Sequence, residues 1–193
     1  MAKKYVLEEG QSSIVRYEVI PKEITVDDET FEKLWELHPE EFGKIKIMGK
    51  VIYTPRWQQS YGKNYKFSGM DHPAMEVPKG YTEKLLKWVC DHSGKNYSQV
   101  LINWYADGNH YIGWHSDDER DLVDNSDIYS FSFGESRDFI IKSKKKDFKE
   151  TFNVKNNSLI IMCGETQKYY LHSVPKRVKS RGRRINITFR LFR

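Results

Sequence analysis

The segment Trp104 to Asp117 reads Trp-Tyr-Ala-Asp-Gly-Asn-His-Tyr-Ile-Gly-Trp-His-Ser-Asp and ends on an imidazole and a carboxylate two positions apart, His115 and Asp117. In an extended chain, residues i and i+2 point to the same side, so one strand end offers two metal-ligating groups from one small patch. A second histidine, His172, follows 55 residues after Asp117. Two histidines and one carboxylate are the facial ligand set of non-haem Fe(II), which leaves the opposite face of the ion open for reactants. By itself a His-x-Asp pair is more often a surface turn or a salt-bridged histidine.

The C-terminus raises the metal reading. Arg184-Ile185-Asn186-Ile187-Thr188-Phe189-Arg190-Leu191 alternates polar and apolar residues. As a strand it buries Ile185, Ile187, Phe189 and Leu191 on one face and turns Arg184, Asn186, Thr188 and Arg190 to the other. Two arginines on that face suit a short dicarboxylate, because the planar guanidinium meets carboxylates bidentately and stays charged.

The elements that must position these groups are short. A first strand is expected over Ser12 to Ile20. Asp27 to His38 reads as a helix capped by Thr25 or Asp27, with Phe31, Leu34, Trp35 and His38 on one face and Pro39 and Gly43 closing it. Lys44 to Tyr53 reads as a strand or hairpin bent at Gly49, Thr54 to Gly62 as a loop, and Asn64 to Gly69 as a short extended piece. Thr82 to Ser93 reads as a second helix closed by Gly94. Strands follow over Gln99 to Tyr105, Ile128 to Gly134, Arg137 to Ser143, Asp147 to Val154 and Ser158 to Cys163. Asp107-Gly108 is a turn signal. Lys144-Lys145-Lys146 is a hairpin tip on the bland reading and a contact for a nucleic-acid backbone on the sharper one. Many short strands after two helices predict a mostly β, jelly-roll-like sandwich with a helical flank.

Composition bounds the rest. At 193 residues one domain is expected, and 38% hydrophobic content is enough for a full core. No apolar run is long enough for a membrane span, and the N-terminus has no apolar signal region, so an intracellular setting is expected. Two cysteines are too few for a disulfide scaffold, and without a Cys-x-x-Cys pair a structural zinc site is not expected. The net charge is +5, unevenly spread: Glu23 to Glu41 is mostly acidic, whereas Lys176 to Arg193 holds eight Lys/Arg and no acid. A basic end that also carries the arginine clamp points to a polyanion passing near the site. Lys44 to Gly69 interleaves cations with Tyr, Trp and Phe, as phosphate neutralisation with base stacking requires, or as an ordinary strand set with core aromatics also would.

With these residues in view, Lys44 to Arg190 resembles the AlkB family of Fe(II)- and 2-oxoglutarate-dependent nucleic-acid demethylases, most closely the members that repair duplex DNA. The matching segments are Asn103-Trp104-Tyr105, His115-Ser116-Asp117 followed by Asp118-Glu119-Arg120, Ser132 to Phe139, His172-Ser173-Val174-Pro175 and Arg184 to Arg190. The resemblance implies one dioxygenase domain over 1–193. Its parts would be an N-terminal extension and helix at 1–43, a nucleotide-recognition region at 44–80, and a double-stranded β-helix (jelly-roll) catalytic core at 98–193. It implies Fe(II) on His115, Asp117 and His172. It also implies 2-oxoglutarate held by Arg184, Tyr105 and Asn186 at the distal carboxylate and by Arg190 and Asn103 nearer the iron, with O2 as co-reactant.

The activity implied is oxidative demethylation of 1-methyladenine and 3-methylcytosine, releasing formaldehyde, succinate and carbon dioxide. Phe67 would stack on the extruded base with Tyr65 nearby, and Asp118 or Glu119 would sit at the edge of the cationic base. Met48 occupies the place where duplex-repairing relatives carry an aromatic wedge. Arg56 would touch the nucleic-acid backbone or the orphaned base, and Lys50 the backbone. Methylated DNA, single- or double-stranded, is the expected partner of a monomer in the nucleus or cytoplasm. RNA, protein side chains, or a catalytically silent nucleic-acid-binding role are the alternatives. The chain ends three residues after Arg190, and no recruitment domain is expected on that side.

Overall fold

The computed structural model describes residues 3–7, 12–67 and 70–193, with the side chains of residues 47, 65–67 and 70–72 outside the described set. In chain order the elements are β1 (Lys3–Val6), β2 (Ile14–Val19), α1 (Asp28–Trp35), β3 (Lys44–Ile47), β4 (Lys50–Tyr53), β5 (Trp57–Tyr61), β6 (Tyr65–Phe67), β7 (Met70–His72) and α2 (Tyr81–Ser93). There follow β8 (Gln99–Tyr105), β9 (Ile112–His115), β10 (Ile128–Gly134), β11 (Arg137–Ser143), β12 (Lys149–Val154), β13 (Ser158–Cys163), a one-turn α3 (Thr166–Tyr169), β14 (Tyr170–Val174) and β15 (Arg184–Arg190).

The strands form a seven-stranded sheet in the order β1-β2-β13-β10-β15-β8-β5 and a four-stranded sheet in the order β12-β11-β14-β9. Two hairpins, β3–β4 and β6–β7, stand apart from them. All pairings between named strands are antiparallel.

Period-2 alternation sorts the large sheet's residues between two cores. Val100, Ile102, Trp104, Ile185, Ile187 and Phe189 face α1 and α2, packing with Leu34, Leu85 and Val89. Leu101, Ile128, Ile160 and Met162 face the small sheet and meet Phe139, Ile141, Phe152, Tyr170 and Val174. The result is three layers: helices, large sheet, small sheet. Each fully buried aliphatic or aromatic side chain contributes about 1.5–3 kcal/mol. The helix layer is tied on by a hydrogen bond from Trp104 Nε1 to the Leu34 carbonyl at 2.8 Å. Asp27 caps α1 by accepting from the Thr30 amide, and Gly94 ends α2 in the left-handed region at φ 67°.

One expectation needs correction. Thr54 to Gly62 is not a loop: β5 is the edge strand of the large sheet, in register with β8 from Trp57↔Trp104 to Tyr61↔Val100. Its polar run hid the strand, because Gln58 and Ser60 are buried, Gln58 accepting from Arg56 and Ser60 from Gln99. At the β11–β12 tip, the exposed Lys144 donates to Ser116 Oγ at 3.1 Å and to the Gln167 carbonyl at 2.9 Å, tying the tip to the segment after β9. Strands β1 and β7 were not foreseen. No helix among the described residues is long and apolar enough to cross a membrane.

Candidate active site

The two sheets bring the three expected ligands together. His115 ends β9 and His172 lies mid-β14, directly paired in register, so their rings stand 4.2 Å apart. Asp117 follows two residues after β9. His115 Nε2 lies 3.7 Å and His172 Nε2 3.9 Å from Asp117 Oδ1, and one ligand atom from each residue falls within 4.8 Å of the others. His115 Nδ1 is 2.8 Å from the Gly113 carbonyl, which assigns the proton to Nδ1 and leaves Nε2 as the ligating nitrogen. Phe139 stacks on the His172 ring with centroids 5.3 Å apart.

Electrostatics hold all three in the state a metal needs. Burial pushes His172 down to about 3, with His115 adding to the effect, and burial likewise lowers His115. Burial alone would raise the Asp117 carboxyl. Arg190 first, then His172 and His115, outweigh it and hold it down at about 2. Two neutral imidazoles and one carboxylate result.

Arg190 donates from Nε and Nη2 to Asp117 Oδ2 at 3.2 and 2.9 Å, and from Nη1 to Gln99 Oε1 at 3.1 Å. The expected contact with the cosubstrate's inner carboxylate is thus accompanied by a fork that orients the metal-ligating carboxylate itself. The fork leaves Oδ1 buried and accepting no hydrogen bond among the described residues. Six positions along β15, Arg184 is 2% exposed and has no ion pair among the described residues. Its Nη2 donates to Ser132 Oγ, whereas Nε and Nη1 are buried without an acceptor. Tyr105, its cross-strand partner, lies with its ring 4.9 Å from the guanidinium. Burial works against the charge on Arg184 and lowers its pKa, and nearby Arg137 lowers it further.

A narrow cavity of about 40 Å³ joins the two ends, lined by Asn103, Tyr105, Asp117, His172, Arg184 and Arg190 among others. The residues fit the implied groups. A cation against the two imidazoles satisfies the orphaned Asp117 oxygen, and a carboxylate satisfies the two orphaned Arg184 donors.

Two of the expected site residues also have partners within the fold. Asn186 commits its amide nitrogen to Ser130 Oγ and the Phe131 carbonyl, so it braces β10 against β15. Arg56, expected on the nucleic-acid backbone or the orphaned base, is 4% exposed and turned inward. Its Nε donates to Asn103 Oδ1 at 2.8 Å, which couples the wall of the outer cleft to the cosubstrate end.

That outer cleft, about 760 Å³, runs along β9 between the β3–β4 hairpin and the small sheet. Ile45, Ile52, Tyr53, Trp114 and Leu171 make its apolar wall, with His115 at its inner end and the exposed Asp118 and half-buried Glu119 beside it. Met48 is 98% exposed at the hairpin tip, with Lys50 exposed next to it. Tyr65 and Phe67 lie on β6, but their side chains are outside the described residues.

Three positioning residues were missed at the sequence level. Gln99 shares the face of Asn103 and Tyr105, a parity that could have flagged it. Gln167 accepts from the Asp117 amide at 2.9 Å and gave no local signal. Arg137 is 2% exposed and spends its guanidinium on the carbonyls of Asp107, His110 and Pro175, joining the segments after β8 and β14.

Residues 40–190 match the model of the 2OG-Fe(II) oxygenase superfamily. The chain is 36% identical over 159 residues to mouse DNA oxidative demethylase ALKBH2, covering 76% of this chain and 66% of that one. It is 35% identical over 179 residues to the human ALKBH2 protein, covering 84% and 67%. To mouse alpha-ketoglutarate-dependent dioxygenase alkB homolog 3 it is 36% identical over 160 residues, covering 76% and 55%. The chain thus spans about two thirds of the length of its ALKBH2 relatives. A solved structure of OsALKBH1 superposes with a TM-score of 0.64 over 98% of this chain and 100% of that one, at 17% identity, which bears on the fold alone. The antiparallel two-sheet core, the His-Asp-His set and these matches agree: the chain belongs to the 2OG-Fe(II) oxygenase superfamily and, within it, to the AlkB family of dioxygenases.

Proposed function

We propose that this protein oxidatively demethylates bases in nucleic acid, with 1-methyladenine and 3-methylcytosine in DNA as substrates. The observation that carries this reading is the apolar cleft of about 760 Å³ that runs along β9 to His115 and has Asp118 and Glu119 on its wall. A methylated base with a blocked pairing edge is flat, apolar on its faces and cationic, so it suits an apolar slot with a carboxylate at the edge.

His115, Asp117 and His172 would hold Fe(II), and Arg184 with Tyr105 would hold the distal carboxylate of 2-oxoglutarate. Bound there, the iron and 2-oxoglutarate supply the oxygen-activating chemistry that oxidises an N-methyl carbon. The chain's own groups do the rest. Arg190 fixes the plane of the Asp117 carboxylate, Gln167 holds the Asp117 backbone amide, and the Gly113 carbonyl fixes the His115 tautomer. Phe139, Leu101 and Met162 keep the cavity dry. The cleft admits the base edge-on to the His115 end. Arg56, bridging Asn103 and the cleft wall, couples base entry to the cosubstrate end.

The hairpin supports a role in strand opening. Met48 holds a left-handed φ of 48° beside Gly49 at 80°, which the tight two-residue hairpin turn requires and Asn or Gly would meet with less strain. A residue kept against its backbone preference and fully in solvent is suited to enter a base stack. The site of action would be the nucleus or cytoplasm, and the working unit a monomer.

The test is formaldehyde release from single-stranded and duplex DNA carrying 1-methyladenine, with Fe(II) and 2-oxoglutarate omitted in turn and methylated RNA in parallel. Release that needs both is expected. Release on RNA alone would move the substrate to RNA, and tight binding without release on any strand would overturn the enzymatic reading.

A further inference from the structure

We infer that Trp114 is a stacking site for a second nucleobase, the one next in the strand to the base that enters beside His115. This rests on the reading that the cleft takes a nucleic-acid strand. Of the five tryptophans, Trp35, Trp57, Trp88 and Trp104 all belong to or pack on the helix-side core. Trp114 belongs to neither core, is 42% exposed and lines the cleft. Its indole is counted in neither core and presents part of its surface to the cleft.

Strand geometry says which ligand. The registers Ile141↔His172 and His172↔His115 put these three side chains on the inner face of the small sheet. Trp114, one residue before His115, takes the other face, where Lys142 Nζ stands 4.4 Å from the ring centroid. β9 is an outermost strand of that sheet, and the cleft follows its length from Ile112 to Ser116. A strand whose methylated base enters beside His115 therefore passes its neighbouring nucleotide over the β9 edge to the side of Trp114. There it meets a flat indole for the base and a lysine ammonium for the phosphate, the pairing of stacking platform and cation that holds single strands without reading their sequence. A base already stacked inside a duplex is not available to the indole, so the contact favours single-stranded substrate.

The experiment compares wild type with Trp114→Ala and Trp114→Phe, with circular dichroism confirming that both variants keep the fold. Binding of a labelled 12-nucleotide single strand containing 1-methyladenine is read by fluorescence anisotropy. Turnover is read by formaldehyde release from the same strand and from the methylated mononucleotide. Trp114→Ala is expected to weaken strand binding by roughly 5- to 150-fold, the range set by stacking of one base. Trp114→Phe should retain most of the affinity, and the alanine penalty should be larger on the 12-mer than on the mononucleotide. Unchanged strand affinity in Trp114→Ala would overturn the inference, leaving a surface cation–π pair only. Equal penalties on both substrates would also overturn it, by making Trp114 a support for His115. A wild-type protein that turns over neither substrate but binds the strand through Trp114 would sink the demethylase reading and support the stacking site.

Discussion

Asp117 carries two loads at once: Oδ2 accepts the Arg190 fork, and Oδ1 is left buried and open toward both histidines. Asp117→Asn keeps the volume and removes the charge. It is expected to lower formaldehyde release by more than the roughly 10–100-fold that changes to residues behind a metal ligand cost. Binding of methylated DNA should be largely retained, and unchanged release would refute the ligand assignment. Gln167 acts one step further out, on the Asp117 amide. Gln167→Ala should weaken Fe(II) affinity by about 10-fold or more, measured by metal titration, because the loop after β9 loses the acceptor that fixes it. No change in affinity would mean that the Arg190 fork positions Asp117 alone.

Among the described residues, the β3–β4 hairpin contributes no side chain to either core. Val51 is 57%, Ile52 44% and Tyr53 58% exposed, an apolar surface beside the cleft, which Ile52 and Tyr53 line. Met48→Phe should raise activity on duplex relative to single-stranded DNA, because a ring fills the gap left by an extruded base better than a thioether chain does. A constant ratio would mean that the tip never enters the stack. Arg137 is the opposite kind of element-level device. It closes the junction between the segments after β8 and β14 from inside, through three backbone carbonyls. Arg137→Met should destabilise the protein by roughly 3 kcal/mol or more, since each carbonyl left buried without a donor costs about 1–3 kcal/mol. A midpoint of denaturation close to wild type would show that water replaces the guanidinium.

Across the whole molecule, stability is coupled to the protonation of the site. His172 is held at about 3 in the folded protein by burial and then by His115, against 6.5 for an ordinary histidine. The unfolded chain therefore binds the additional proton between these values. In the metal-free protein this contribution is complete above about pH 6.5 and is lost as the pH falls toward the folded value. Asp117, held at about 2, acts with the same sign lower down, its contribution being lost below an ordinary carboxyl's 3.8. The Tm of the metal-free protein is expected to fall between pH 7 and pH 4, and His172→Asn should flatten that slope. A slope that survives the substitution would place the linkage elsewhere.

Much of this was written into local patterns. Alternation over Gln99 to Tyr105 and Arg184 to Arg190 revealed both strands and the polar faces that meet across the site, because period 2 is a property of the backbone itself. His115 and Asp117 were legible for the same reason. The β5 strand was not, since Gln58 and Ser60 look like loop residues until their buried partners are known. The pairing of His172 with His115, the inward turn of Arg56 and the grip of Arg190 on Asp117 were decided only by tertiary structure. Each depends on which strands become neighbours, and that is set by the two cores closing around the large sheet, with residues far apart in the chain supplying the opposite walls. The exposed Trp114 belongs to the same class. Its residue type was plain in the sequence, but its exclusion from both cores and its place on the cleft followed from β9 ending up at the edge of the small sheet.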